Sequence, residues 1–176
     1  MIKTVLIMIT AVCSVFGVYQ QSNKYKNLDV MLKLAEYVSW PEDEEHSQIT
    51  VMIAVKDSDC FEKASQYLER QFFNNRTIKT VFLDGDTEIS EDADIIFVDT
   101  ESGIDFGKLY CKIRDKHIMT VTDGKQHMEE GCMFYVSAGM DNNFDYLYNS
   151  RSVVASGIKI KSLLLTPKHD YELNNK

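Results

Sequence analysis

The sequence is short of residues that interrupt a chain. Its 176 residues hold two prolines and eight glycines, too few for a Pro/Gly-rich linker, a collagen-like repeat or a long low-complexity tail. The length suits one domain. Positive charge is also scarce: 19 Lys and Arg stand against 27 Asp and Glu, for a net charge of -8. No basic patch stands out, which argues against nucleic acid and anionic membrane surfaces as partners. The motifs GxGxxG, GxxxxGK[ST], GxSxG and HExxH are missing, and Gly107-Lys108 and Gly124-Lys125 lack the other members of a phosphate loop. There is no CxxC, and His46, His117, His127 and His169 are scattered without ligand spacing, so no zinc site is expected. A Cys–His nucleophile pair has no signature around it either. No cofactor is implied.

The N-terminus does carry an apolar run. Lys3 supplies a positive start, and Val5 to Val18 is interrupted only by Thr10 and Ser14. The run is short of the roughly 20 residues a membrane span needs and suits the core of an export signal. Met1 to Gly17 therefore reads as a signal peptide, and residues 18–26 as a short leader. Two alternatives stay open: an uncleaved membrane anchor, and a lipoprotein at Cys13, which Val12 disfavours because a small residue belongs there. The expected location is periplasmic or secreted. Cys60, Cys111 and Cys132 then remain. An oxidising compartment permits one disulfide and one thiol, or three thiols, and the sequence does not choose a pairing.

The stretch around which the chain is organised is LDVMLKLAEYVSWP, Leu28 to Pro41. Leu28, Met31, Leu32, Leu34, Ala35 and Val38 recur at helical steps and form one apolar stripe. Asn27 is the expected N-cap, Asp29 suits the positive helix end, and Pro41 stops the helix by Ser39. Trp40, the single tryptophan, is read as a core anchor in preference to an exposed partner contact. An acidic run, Glu42 to Glu45, leads into an apolar strand, Ile49 to Val55.

Beyond it, helical and strand patterns alternate. The spacing predicts a helix over Cys60 to Gln71, a break at Asn74-Asn75, a strand at Ile78 to Leu83 and a buried strand at Ile95 to Val98. It then predicts a helix over Phe106 to Arg114 and a strand at Ile118 to Val121. Continuous apolar runs of this kind mark parallel strands covered on both faces. Met133 to Ala138 and Phe144 to Tyr148 predict a β-hairpin, with Phe144, Tyr146 and Tyr148 on one face. They are read as cross-strand packing first and as a partner or homodimer surface second. Ser150 to Ser156 is a short helix with Asn149 as its N-cap and Gly157 at its C-terminal end. Ile158, Ile160, Leu163, Leu164 and Leu165 are expected to complete the core, with residues 168–176 as a polar, frayed tail. The fold class is α/β: three layers, a mostly parallel central sheet flanked by helices, and a C-terminal hairpin, in one domain over residues 27–167.

Several of these segments occur together in one known family. A helix ending in Tyr37-Val38-Ser39-Trp40-Pro41, then Val121-Thr122-Asp123, Gly131-Cys132-Met133, Asn149 and Ala155-Ser156-Gly157-Ile158-Lys159-Ile160-Lys161-Ser162-Leu163-Leu164 follow in order. This arrangement resembles the YfiR-like family of secreted bacterial proteins. Cys132 replaces a glycine of that pattern, and Ala93-Asp94 stands where many members carry Cys-His, so a disulfide using that position is excluded. The resemblance implies a binding role without catalytic residues: a periplasmic regulator that engages the extracytoplasmic domain of a membrane-bound diguanylate cyclase or similar sensor, with a homodimer as precedent. Pro41, Gly131, Asn149 and Gly157 are read as structural positions.

One pattern favours an enzyme instead. Asp57, Asp59, Asp84, Asp86, Asp99 and Asp123 all follow predicted strands, and ligands of open parallel sheets bind at such ends. Gathered there, they would suit a divalent-ion-dependent hydrolase. The competing explanation is that Asp caps helices and turns through its backbone bonds.

Overall fold

The computed structural model describes residues 25–40, 47–139 and 143–174. The expected signal peptide, Pro41 and the acidic run Glu42 to Glu45 lie outside the described residues. None of the described helices is long and apolar enough to cross a membrane.

The sheet is built on three strands, β2 (Gln48–Ala54), β5 (Ile95–Val98) and β6 (Met119–Thr122), whose residues are all buried apart from Gln48. Successive side chains of a strand point to opposite faces. Val51, Ile53, Ile95 and Phe97 enter one apolar cluster, whereas Met52, Ala54, Ile96 and Val98 enter the other. Helix α1 (25–35) and helix α2 (Ser58–Leu68) cover the first face with Leu28, Met31, Leu34, Ala64 and Leu68. Helix α3 (Phe106–Ile113) covers the second with Phe106, Leu109 and Ile113. Each large side chain buried this way contributes about 1.5–3 kcal/mol relative to exposure. The three-layer α/β architecture expected from the sequence is the one observed.

The seven-stranded sheet runs β3-β4-β2-β5-β6-β7-β8. Strands β4 (Arg76–Phe82), β2, β5, β6 and β7 (Phe134–Ala138) pair in parallel. Both edges are antiparallel hairpins: β3 (Phe72–Phe73) on β4, and β8 (Phe144–Tyr148) on β7. Asn74 and Asn75 have φ of 49° and 64°, the conformation of the tight hairpin turns that match strand twist. The pair expected only to break a helix thus also folds a strand back. The β6-to-β7 crossover uses a 3₁₀ turn, Lys125–Met128, in place of a longer helix.

Three expectations are corrected at the ends of the domain. The first helix stops at residue 35, closed by the turn bonds of Glu36 and Tyr37, and β1 (Val38–Ser39) follows. It pairs antiparallel with β9 (Lys159–Ile160), Val38 opposite Ile160. Val38 is buried at helical spacing from Leu34, so periodicity could not separate helix from strand; a partner 122 positions away (160 − 38) decided it. Asn27 lies inside α1 and does not cap it. Of the closing apolar residues, Ile158 and Leu164 are buried, but Leu163 is 70% exposed and Leu165 37%.

The C-terminal segment is docked, not frayed. Helix α4 (Ser150–Ser156) precedes β9, and a 3₁₀ turn, Pro167–His169, then leads into helix α5 (Tyr171–Asn174). Asp170 bridges in parallel to Tyr148 at the β8 edge, and Tyr171 is buried in the second cluster.

At the amino ends of the central strands one residue fastens several elements. Asp94 accepts from the Thr50 amide through its carboxylate (2.8 Å), and its carbonyl accepts from the Met119 amide (2.9 Å) and the Trp40 indole (3.3 Å). Replacing Asp94 with Ala removes the bond to Thr50, whose residue is buried, and is expected to cost about 1–3 kcal/mol in chemical denaturation. An unchanged denaturation midpoint would contradict this account.

Candidate functional site

The carboxyl ends of the parallel strands are where the sheet's order points. Strand β2 is flanked by β4 and β5, the next two major strands in chain order, so the chain reverses its direction of travel there. Ligands of open α/β sheets bind outside the carboxyl ends at such reversals. Asp57, Asp99 and Asp123 all follow strands of this region.

The structure assigns these carboxylates to the backbone. Asp57 is the N-cap of α2 and accepts from the Cys60 amide at 2.9 Å. Asp84 binds the amides of Asp86 (3.1 Å) and Thr87 (2.8 Å) and the Thr87 hydroxyl, which together hold its carboxyl below the usual range, the hydroxyl first. Asp99, only 3% exposed, accepts from the Glu101 amide at 2.7 Å. Asp123 accepts from the Thr100 amide (2.8 Å) and hydroxyl (3.0 Å) and from the Asn27 side-chain amide at 3.4 Å. Among the described residues no three His, Cys, Asp or Glu gather as a metal set, and no buried side-chain polar atom lacks a partner.

Asp123 is nevertheless unusual. Burial raises its pKa, and the neighbouring Asp99 charge raises it further; the Thr100 and Asn27 bonds act the other way. Asn27 holds this corner together, because its side-chain oxygen also accepts from the Ala138 amide at 2.8 Å. One residue of α1 thus joins the ends of β6 and β7. Helical periodicity gives no sign of this; the only available signal was a polar residue opening an apolar stripe, and that equally suits a cap. Thr122 completes the edge, donating to Val98 O (2.7 Å) and accepting from the Gly124 amide (2.9 Å).

The aromatic residues of the hairpin are graded along one face. Tyr148 is buried, Tyr146 half-buried and Phe144 45% exposed, with the Lys33 ammonium 5.6 Å from the Phe144 ring centre. Tyr146 stacks on His169, ring centres 4.3 Å apart, and donates to Leu164 O at 3.1 Å. Phe144 and Lys33 thus form the open end of the strip. Trp40 is half-buried against the first cluster, its indole donating to Asp94 O. Among the remaining exposed apolar side chains, Phe72 (74%) sits on the opposite sheet edge and Val154 (81%) on α4.

Three further positions are structural. Gly131 has φ 107°, and a Cβ there would lie 2.9 Å from the Tyr110 ring. Asn149 accepts from the Ser152 amide at 3.1 Å and donates to Met128 O at 3.0 Å, capping α4 and fixing the turn beside it. Gly157, φ 73°, ends α4 under the His117 ring, whose Nδ1 lies 2.8 Å from Ser156 O.

The cysteines lie apart in the chain's architecture. Cys60 and Cys111 sit on α2 and α3, and Cys132 lies between the 3₁₀ turn and β7. All three are thiols: Cys60 half-buried, Cys111 exposed, Cys132 buried. Burial pushes the Cys132 thiol up to about 12, and thiolate is the reactive form.

Two outcomes follow. For Asp123 the folded pKa is raised, so the folded state binds more protons than the unfolded one as pH rises from about 4. Its contribution to stability is present below that pH and is lost as pH rises through the folded pKa. Asp123→Asn should therefore flatten the fall of the denaturation midpoint as pH rises above about 4; an unaltered profile would refute the assignment. With Ellman's reagent on the folded protein, Cys111 should react first. Cys132 should react only on unfolding, and a fast reaction abolished by Cys132→Ser would overturn its placement.

No curated protein matches the chain. Residues 27–166, which include every strand of both sheets, match the YfiR/HmsC-like family. The matched span runs from Asn27 to the end of the turn after β9, and on that extent the chain belongs to the YfiR/HmsC-like family, a family of regulatory proteins.

Proposed function

We propose that this protein is a non-enzymatic regulator that works outside the cytoplasm by binding the extracytoplasmic domain of a membrane signalling protein, of the diguanylate cyclase or sensor kinase type. The observation that carries the reading is the family match across residues 27–166. The apolar N-terminal run supports export, since its length suits a cleaved signal. The net charge of -8 suits a protein partner with a basic face better than a nucleic acid.

The carboxylates of Asp57, Asp84, Asp99 and Asp123 lend the hydrolase alternative no support, because these four are bonded to amides or hydroxyls of caps, turns and adjoining loops. The exposed end of the hairpin strip, Phe144, is the best contact candidate, because aromatic residues, Phe among them, are enriched at protein interfaces.

Two measurements test the proposal. Fractionation with N-terminal sequencing should recover a chain lacking its first 17 or so residues outside the cytoplasm; a cytoplasmic protein retaining Met1 would sink the export part. The mature chain, used as bait in envelope extract, should retain a sensor kinase or cyclase. Phe144→Ala should reduce that retention about tenfold or more, the loss of at least about 1.4 kcal/mol, while leaving thermal stability nearly unchanged. Equal retention by the variant would remove Phe144 from the contact. A thermal shift on adding Mg²⁺ or Ca²⁺, with no partner retained, would favour the hydrolase.

A further inference from the structure

Strand β4 is paired along its full length on one side only. Strand β2 runs beside it from Thr77 to Phe82, whereas β3 lies opposite just Arg76 and Thr77. Among the described residues no other strand stands beside β4. Its outer edge is therefore open from Ile78 to Phe82, a length of about 17 Å.

Two bonds fix where the backbone groups of that edge point. The Thr77 amide donates to Ser47 O at 3.0 Å and the Leu83 amide to Ile53 O at 2.9 Å, so both face β2. Successive peptide groups of a strand point to opposite sides. Lys79 and Val81 therefore face β2 as well, and Ile78, Thr80 and Phe82 turn N–H and C=O outward. The side chains hold this edge in place. Phe82 packs against the Phe61 ring of α2, ring centres 5.1 Å apart, and the Thr80 hydroxyl donates to Glu69 at 2.7 Å. Lys79, whose charge would otherwise guard the edge, reaches Asp92 in the loop before β5 at 3.5 Å.

The two ends of the edge differ in chemistry. At the amino end, Phe72 of β3 is 74% exposed. Beyond the carboxyl end come Asp84, Asp86 and Glu88, all exposed, and residues 80–94 contain no Lys or Arg. The turn bonds of Asp84 hold its carboxyl below the usual range, so this end stays negative.

We propose that the outer edge of β4 takes up an extended segment of another protein as an added strand, apolar at alternate positions and basic at the end that lies beside Asp84 and Asp86. Main-chain bonds to Thr80 and Phe82 supply affinity that depends little on sequence. The edge is already ordered, so binding orders only the incoming segment. The acidic end selects the occupant by charge, and Phe72 gives an apolar side chain a surface at the other end. The site lies on the sheet edge opposite Phe144, and the inference holds whether or not the sensor proposed above is the partner.

Short synthetic peptides test it on the mature chain. The probe alternates valine and threonine and carries two lysines, at its amino end in one version and its carboxyl end in another. One version should bind at least tenfold more tightly than the same peptide with glutamates in place of lysines. Asp86→Lys with Glu88→Lys should remove that preference. By NMR-detected hydrogen exchange, the Thr80 and Phe82 amides should exchange at least tenfold more slowly with peptide bound, while those of Lys79 and Val81 are protected throughout. Methylating alternate peptide nitrogens leaves every probe side chain intact and should abolish binding. Thr80→Pro removes one outward N–H, which an edge strand tolerates, and should weaken binding at least tenfold with the far-UV circular dichroism unchanged. Equal binding by the methylated probe, or no binding by either lysine version, overturns the proposal. So does a chain that dimerises without peptide and becomes monomeric on Thr80→Pro, because a second copy would then hold the edge.

Discussion

Strands buried on both faces place the strictest demand on this chain. The backbone of β2, β5 and β6 pairs with neighbours on either side, and their side chains leave alternately into two apolar layers. Such a sheet is stable only if each face is covered, because an open face would leave several large side chains in water at about 1.5–3 kcal/mol each. The helices answer that demand on both sides, α1 and α2 on one and α3 on the other. The hairpins β3–β4 and β7–β8 then end the sheet laterally, and the C-terminal segment covers part of the last edge.

Polar side chains concentrate where the covering layers meet the strand ends. At the carboxyl edge Asn27 ties α1 to Asp123 and to the β7 backbone, while Thr100 and Thr122 fasten the loops after β5 and β6. At the amino edge Asp94 ties β2, β6 and Trp40 together. Ala93-Asp94 occupies this position. A carboxylate and a carbonyl do the fastening there, and no sulfur is required. Buried polar groups are tolerated in such places because each one is paired.

The same economy of carboxylates bears on function. An active site built on strand-end aspartates needs them aimed outward and shared by one ligand, whereas Asp57, Asp84 and Asp99 bond amides of their own loops and Asp123 bonds Thr100 and Asn27 of neighbouring elements. A few apolar side chains do face outward: Phe144 beside Lys33 at the open end of the hairpin, Phe72 on the far edge, Val154 on α4, and Leu163 and Leu165 beside the docked segment.

The sequence by itself determined the layers and the family. Apolar runs at Ile49 to Val55 and Ile95 to Val98 mark strands covered on both sides, and the Asn149-to-Gly157 unit marks a capped short helix; both signals are local, carried by residues within one turn or strand. Tertiary structure alone decided what depended on distant partners. Val38 fits a helix by spacing and became a strand because β9 lay opposite it. Asn27 looks like a cap and became a tether, because folding brought Asp123 and Ala138 within reach of its amide. The polar residues after Pro167 read as a frayed end, yet Tyr171 found a socket among side chains of other elements. In each case the local pattern permitted two outcomes of similar energy, and a contact made far along the chain tipped the balance.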